Sequence, residues 1–276
     1  MSAINAGRNT AASSLGLGRP PLLGAVISEA VKLTTLRSNW TLAAVALVMI
    51  VGSGVLQGLA LVSRLTDPRF SGQLIEARPM QFVDSVLWAQ VLVAVIAVLA
   101  VTGEYGSGQM KLSLLAIPTR LPVLGGKTIA VALLGLGLGT TGAGLALSIP
   151  LTFLPAAGID YPIDPSTGAG LALGSGAYLA AVAAMATAVG ALVRNVVAGL
   201  AITLPLVTIL PSVISSIPVQ FIRDAAAYLP TTAGRMLISD LETTAPLQPW
   251  QGYLVLLAWA AALWAAAAVT LRARDA

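Results

Sequence analysis

The chain has 276 residues, 57% of them hydrophobic and only 9% charged, with a net charge of +4 and a mean hydropathy of +0.89. Soluble domains carry about 25% charged residues, so an ordinary soluble globule is excluded, and the absence of cysteine and histidine removes disulfides, thiol chemistry, thiolate or imidazole metal sites and Ser-His nucleophilic machinery. The apolar runs are continuous and about twice the ten-residue alternating segments of a membrane β-barrel, which points to helices that satisfy their own backbone groups in lipid.

Residues 1–21 are rich in Gly, Ser and Asn and close on Pro20 and Pro21. No apolar core precedes a small-residue cleavage site, so a flexible cytoplasmic tail is expected rather than a signal peptide. In 22–39, Leu23, Ile27, Ala30, Val31 and Thr34 recur near helical spacing, while Glu29, Lys32 and Arg37 fall toward the other side. The pattern predicts an amphipathic helix lying in the cytoplasmic interface.

A membrane span needs about 17–25 mostly apolar residues, and six runs qualify: 40–62, 82–102, 128–154, 168–193, 196–217 and 250–271. Trp40, Trp88, Trp250, Trp259 and Tyr253 mostly sit near run ends, where interfacial anchors belong. Between the second and third runs, 103–127 is polar, carries three positive charges, and reads in its middle as a short helix stopped by Pro118. Within it, Gly125-Gly126-Lys127-Thr128 imitates the end of a phosphate-binding loop, but Leu121 stands where the first glycine is required and no strand precedes it, so no nucleotide site is expected on this chain. The third run clusters Gly135, Gly137, Gly139, Gly142 and Gly144; Gly135–Gly139, Gly54–Gly58 and Gly170–Gly174 have the spacing of close helix contacts, within one subunit or between two. Pro205, followed by Pro211, predicts a kink in the fifth run. The connection 218–249 carries two short predicted helices, 219–229 and 233–241.

With the N-terminus, 103–127, the Arg194 turn and the C-terminus on one side, that side holds ten basic residues against three acids, and the other five against eight. The positive side is expected to be cytoplasmic. The runs contain no Lys or Arg and no carboxylate away from an edge, so ion-coupled transport, which keeps such groups in the membrane, is not expected. Gln57 and Gln90 are candidates for a path suited to amphiphilic cargo, with any work supplied from outside the chain.

Glu104-Tyr105-Gly106-Ser107-Gly108, followed by Leu114-Leu115-Ala116-Ile117-Pro118-Thr119-Arg120, resembles membrane permeases of the ABC-2 type of ABC transporter, especially actinobacterial ones. Glu29-Ala30-Val31-Lys32-Leu33 is similar to that family's interfacial helix, and Tyr228-Leu229-Pro230-Thr231-Thr232-Ala233-Gly234 to a segment before its last span. The resemblance covers the chain from about Leu22 to Arg274. It implies a six-helix permease fold of the type V exporter kind in a bacterial plasma membrane. In that reading 103–127 is a coupling segment docking on a separate ATPase subunit through Glu104, Tyr105, Gly108, Leu112, Pro118 and Arg120, with Glu104 or Tyr105 paired to Lys32 or Arg37. The chain binds no cofactor, ATP and Mg being held by the partner. A second permease completes the path, the 218–249 loop dips back toward the membrane, and nucleic acid plays no part. Alternatives are the membrane subunit of an importer, an intramembrane enzyme, for which an Asp cluster or Ser dyad is missing, and a passive channel, which leaves 103–127 without a purpose.

Overall fold

A computed structural model describes residues 21–70, 75–107, 120–238 and 247–273. The structure is all-α: no strand occurs among the described residues, and six of their helical segments are long and apolar enough to cross a membrane. Helix α1 (Pro21–Thr35) meets the first spanning helix α2 (Arg37–Thr66) at the extended residue Leu36. Here the last carbonyls of α1, which have no partner within the helix, are taken up by side chains of α2: Asn39 Nδ2 donates to Leu33 O at 3.2 Å and Trp40 Nε1 to Thr34 O at 2.7 Å. The junction is thereby stiff.

Span two enters through a 3-10 turn (Pro79–Phe82) and continues as α3 (Val86–Ser107). Span three is α4 (Arg120–Ser148). It starts eight residues earlier than the apolar run suggested. Pro122 is no obstacle there, because the first N–H groups of a helix have no partner in any case. Span four is α5 (Pro165–Val193), started by Asp164, whose carboxylate accepts from Thr167 N at 3.0 Å; the Ser166 hydroxyl, then the Thr167 hydroxyl and N–H, hold the acid well below the usual carboxylate range. It ends at Arg194, whose φ of 58° reverses the chain.

Span five begins at α6 (Val196–Leu204), capped by Asn195 Oδ1 accepting from Ala198 N at 3.0 Å, and continues through a π-helical stretch (Pro205–Ile209) into α7 (Leu210–Ser215). The two prolines therefore widen the helix by one π turn, as missing N–H groups allow. Two short helices follow, α8 (Gln220–Ala226) and α9 (Pro230–Arg235), shorter than the sequence pattern suggested, before the last span α10 (Pro249–Ala273).

α5 is the central pillar, packing most extensively on α4, α3 and α10, with Tyr178, Leu179, Val182 and Met185 wholly buried. Its contact with α4 is so close that a Cβ at Gly139 would lie 2.6 Å from Ser175 O, and one at Gly135 2.9 Å from Leu179 O. These glycines join two helices of one chain. Span five is the least covered spanning segment.

Candidate functional site

Two polar constructions stand out in an otherwise apolar bundle. The first joins the three helices that surround the 103–127 connection. α1 lies mainly across the start of α4 rather than along α2; a Cβ at Gly126 would come within 2.7 Å of Ala25 Cβ, so the helices touch at backbone distance. The face of α1 turned inward is Ala25, Glu29 and Leu33, whereas Leu23, Ile27 and Val31 are exposed. The sequence suggested the reverse for Glu29, which was placed on the side away from the apolar stripe. The acid turns inward because a cation awaits it there.

That cation is Lys127, at the eighth position of α4 with its side chain wholly buried. Its Nζ lies 2.6 Å from Glu29 Oε2 and 2.6 Å from Glu104 Oε1, the latter in the last turn of α3. Lys32 Nζ completes the arrangement at 2.7 Å from Glu29 Oε1 and 2.7 Å from Glu104 Oε1. Two acids and two bases thus alternate in a neutral knot tying α1, α3 and α4. Burial draws the Lys32 ammonium down, but the hydrogen bonds and charges of Glu104 and Glu29 outweigh it and leave the group above its ordinary value. Taking ions out of water costs several kcal/mol each, repaid only by close pairing such as this.

The expected pairing of Glu104 with Lys32 is present. Arg37 instead begins α2 and is exposed. Lys127 was read as a loop cation; it lies inside α4, because that helix starts at Arg120, before the apolar run. Tyr105, next along α3, lies under the Arg194 guanidinium at 5.2 Å from its ring centroid, so the turn between spans four and five also rests on the end of span two. Gly108, Leu112 and Pro118 lie outside the described residues; Arg120 is the first residue of α4. Gly106 of the same motif is inside α3.

The second construction is a cavity of about 440 Å³ between span two, the π-helical part of span five and α9. Gln90 is buried at its wall: its Nε2 donates to Val207 O at 3.2 Å and its Oε1 accepts from the buried Tyr178 hydroxyl at 2.5 Å. Val207 O is the carbonyl that Pro211, four residues on and lacking an N–H, cannot serve. Gln90 replaces that donor. Helix α9 reaches well past the N-terminal end of α5, since a Cβ at Gly234 would touch the Tyr178 ring at 2.9 Å, thirteen residues or about 20 Å along α5 from Pro165. The other path candidate, Gln57, is exposed on α2 and takes no part in this cavity.

Sequence reasoning missed Lys127, Thr231 and Arg235 as site residues. The signal for Lys127 was the pair of glycines before it, which serve the approach of α1. Comparison with protein-family models and with curated protein sequences returns no match.

Proposed function

We propose that the chain is the permease subunit of an ATP-driven ABC-2-type exporter for an amphiphilic or lipid-like substrate, working with a second permease and a separate ATPase subunit at a bacterial plasma membrane, both termini cytoplasmic. The observation that carries this reading is the buried Glu29–Lys32–Glu104–Lys127 knot. The last turn of α3 and the start of α4 flank the 108–119 connection, and both are fastened to the interfacial helix by charges that tolerate no slack. A push delivered at that connection therefore moves two spans and α1 as one body. A passive channel has no use for such a base, and the knot's charges are all paired with one another, which leaves none to relay an ion.

The chain's own residues supply the lever, the kinked span five and the polar cavity on its flank, while ATP and Mg belong to the partner. A second copy would meet the broad apolar surface of span five, where Val197, Ile202 and Ile209 are exposed. Mild-detergent purification of the tagged chain from its native host tests the reading: a stoichiometric companion that hydrolyses ATP is expected. A chain that purifies alone and conducts its substrate without nucleotide refutes it.

A further inference from the structure

The cavity between span two, span five and α9 has walls of different chemistry. On the side of spans two and five, hydroxyl hydrogens are spent on their own helices: Thr208 Oγ1 donates to Leu204 O at 2.7 Å and Ser212 Oγ to Thr208 O at 3.0 Å. What these groups present to the cavity is lone pairs. Asp84 adds a carboxylate to the same wall, and Trp88, one turn further, an indole that is 67% exposed. Acceptors beside an open aromatic face are the environment an ammonium group prefers.

The opposite wall donates. Thr231 on α9 is 4% exposed, lines the cavity, and its Oγ1 has no hydrogen-bond partner. A buried hydroxyl without a partner costs about 1–3 kcal/mol, an expense that a ligand accepting its hydrogen would remove. Arg235, one turn on, brings a guanidinium to the same cavity, suited to a phosphate or carboxylate. The lining therefore carries one negative and one positive group on different elements.

We infer that this cavity binds the zwitterionic head group of an amphiphile, its ammonium toward Asp84 and Trp88 and its anionic group toward Arg235 and Thr231. Asp84 and Arg235 both already hold interactions. A head group with both charges offers each of these residues a group of opposite sign, whereas one with a single charge serves only one of them. The apolar tail leaves past Leu87 and Val207, which line the same space. That this ligand is the exported cargo rests on the exporter reading; that the head group binds does not.

Glycerophosphocholine, choline and glycerol phosphate, titrated calorimetrically into the full chain in maltoside micelles, separate the possibilities. Glycerophosphocholine is expected to bind at least about ten-fold tighter than either half-molecule, a difference of about 1.4 kcal/mol. Asp84→Asn should reduce it to the level of glycerol phosphate. Thr231→Val, which keeps shape and removes the donor, should weaken glycerophosphocholine and glycerol phosphate while leaving choline unchanged. Equal binding of the three probes, no binding to the folded chain, or indifference to both substitutions overturns the inference. Binding without any ATPase companion would sink the exporter reading alone, and a companion without binding would sink only the head-group site.

Discussion

Lys127 is the residue on which most depends, because two buried carboxylates lean on one wholly buried ammonium. Lys127→Met leaves Glu29 and Glu104 with only the half-exposed Lys32, and breaking a buried pair in this way typically costs about 3–5 kcal/mol. A large drop in thermal unfolding temperature in detergent is expected, with recovery when Glu29→Gln and Glu104→Gln accompany it. Lys32 sets the alkaline limit. Its ammonium is held above the ordinary 10.5, so its contribution is complete below that pH and fades as pH rises through the folded-state value. Thermal stability should stay level from about pH 7 to about 10 and decline beyond, and Lys32→Met should remove that alkaline decline. Gln90→Leu is a third test at this scale: it orphans Val207 O and the Tyr178 hydroxyl, and each buried unsatisfied group costs about 1–3 kcal/mol, measurable by the same unfolding assay.

At the scale of elements, two glycines of α4 form a matched experiment. A Cβ at Gly139 would collide with the backbone of α5, while one at Gly137 would meet nothing within 4 Å. Gly139→Ala should separate the helices and destabilise clearly; Gly137→Ala should be neutral or gain up to about 1 kcal/mol in helix propensity. The six spans were legible because length and apolar continuity report the bilayer and little else. The start of α4 was not. Lys127 looks like a loop residue by polarity, and only the acids of α1 and α3, 98 and 23 residues away in sequence, make its burial tolerable. Glu29 was misplaced for the same reason: a helical wheel shows which residues share a face but not which face meets a counter-charge. The π turn of span five was visible as a kink from Pro205, yet its repair by Gln90 is a long-range contact that no local pattern encodes. The cavity was half legible. Gln90 stood out as a polar residue in an apolar run, but Thr231 and Arg235 came from a connection whose depth only the packing of α9 on Tyr178 reveals.

For the whole molecule, a charged knot ties α1, α3 and α4 at one end of the bundle, while a kinked span and a short helix packed on Tyr178 lie toward the other. The absence of native cysteine makes topology directly testable: single cysteines at Ser38 and Ser166 should label from opposite faces of the membrane, Ser38 from the cytoplasmic one. The central claim is that an external ATPase drives this bundle through the knot. Its most direct test is flux in proteoliposomes containing the chain and the ATPase that co-purifies with it, comparing the natural sequence with a neutral knot (Glu29→Gln, Lys32→Met, Glu104→Gln and Lys127→Met together) that remains folded. The account expects ATP hydrolysis to continue while ATP-dependent transport falls at least about ten-fold, equivalent to about 1.4 kcal/mol of lost coupling; transport that stays tied to hydrolysis in the neutral-knot protein would contradict it.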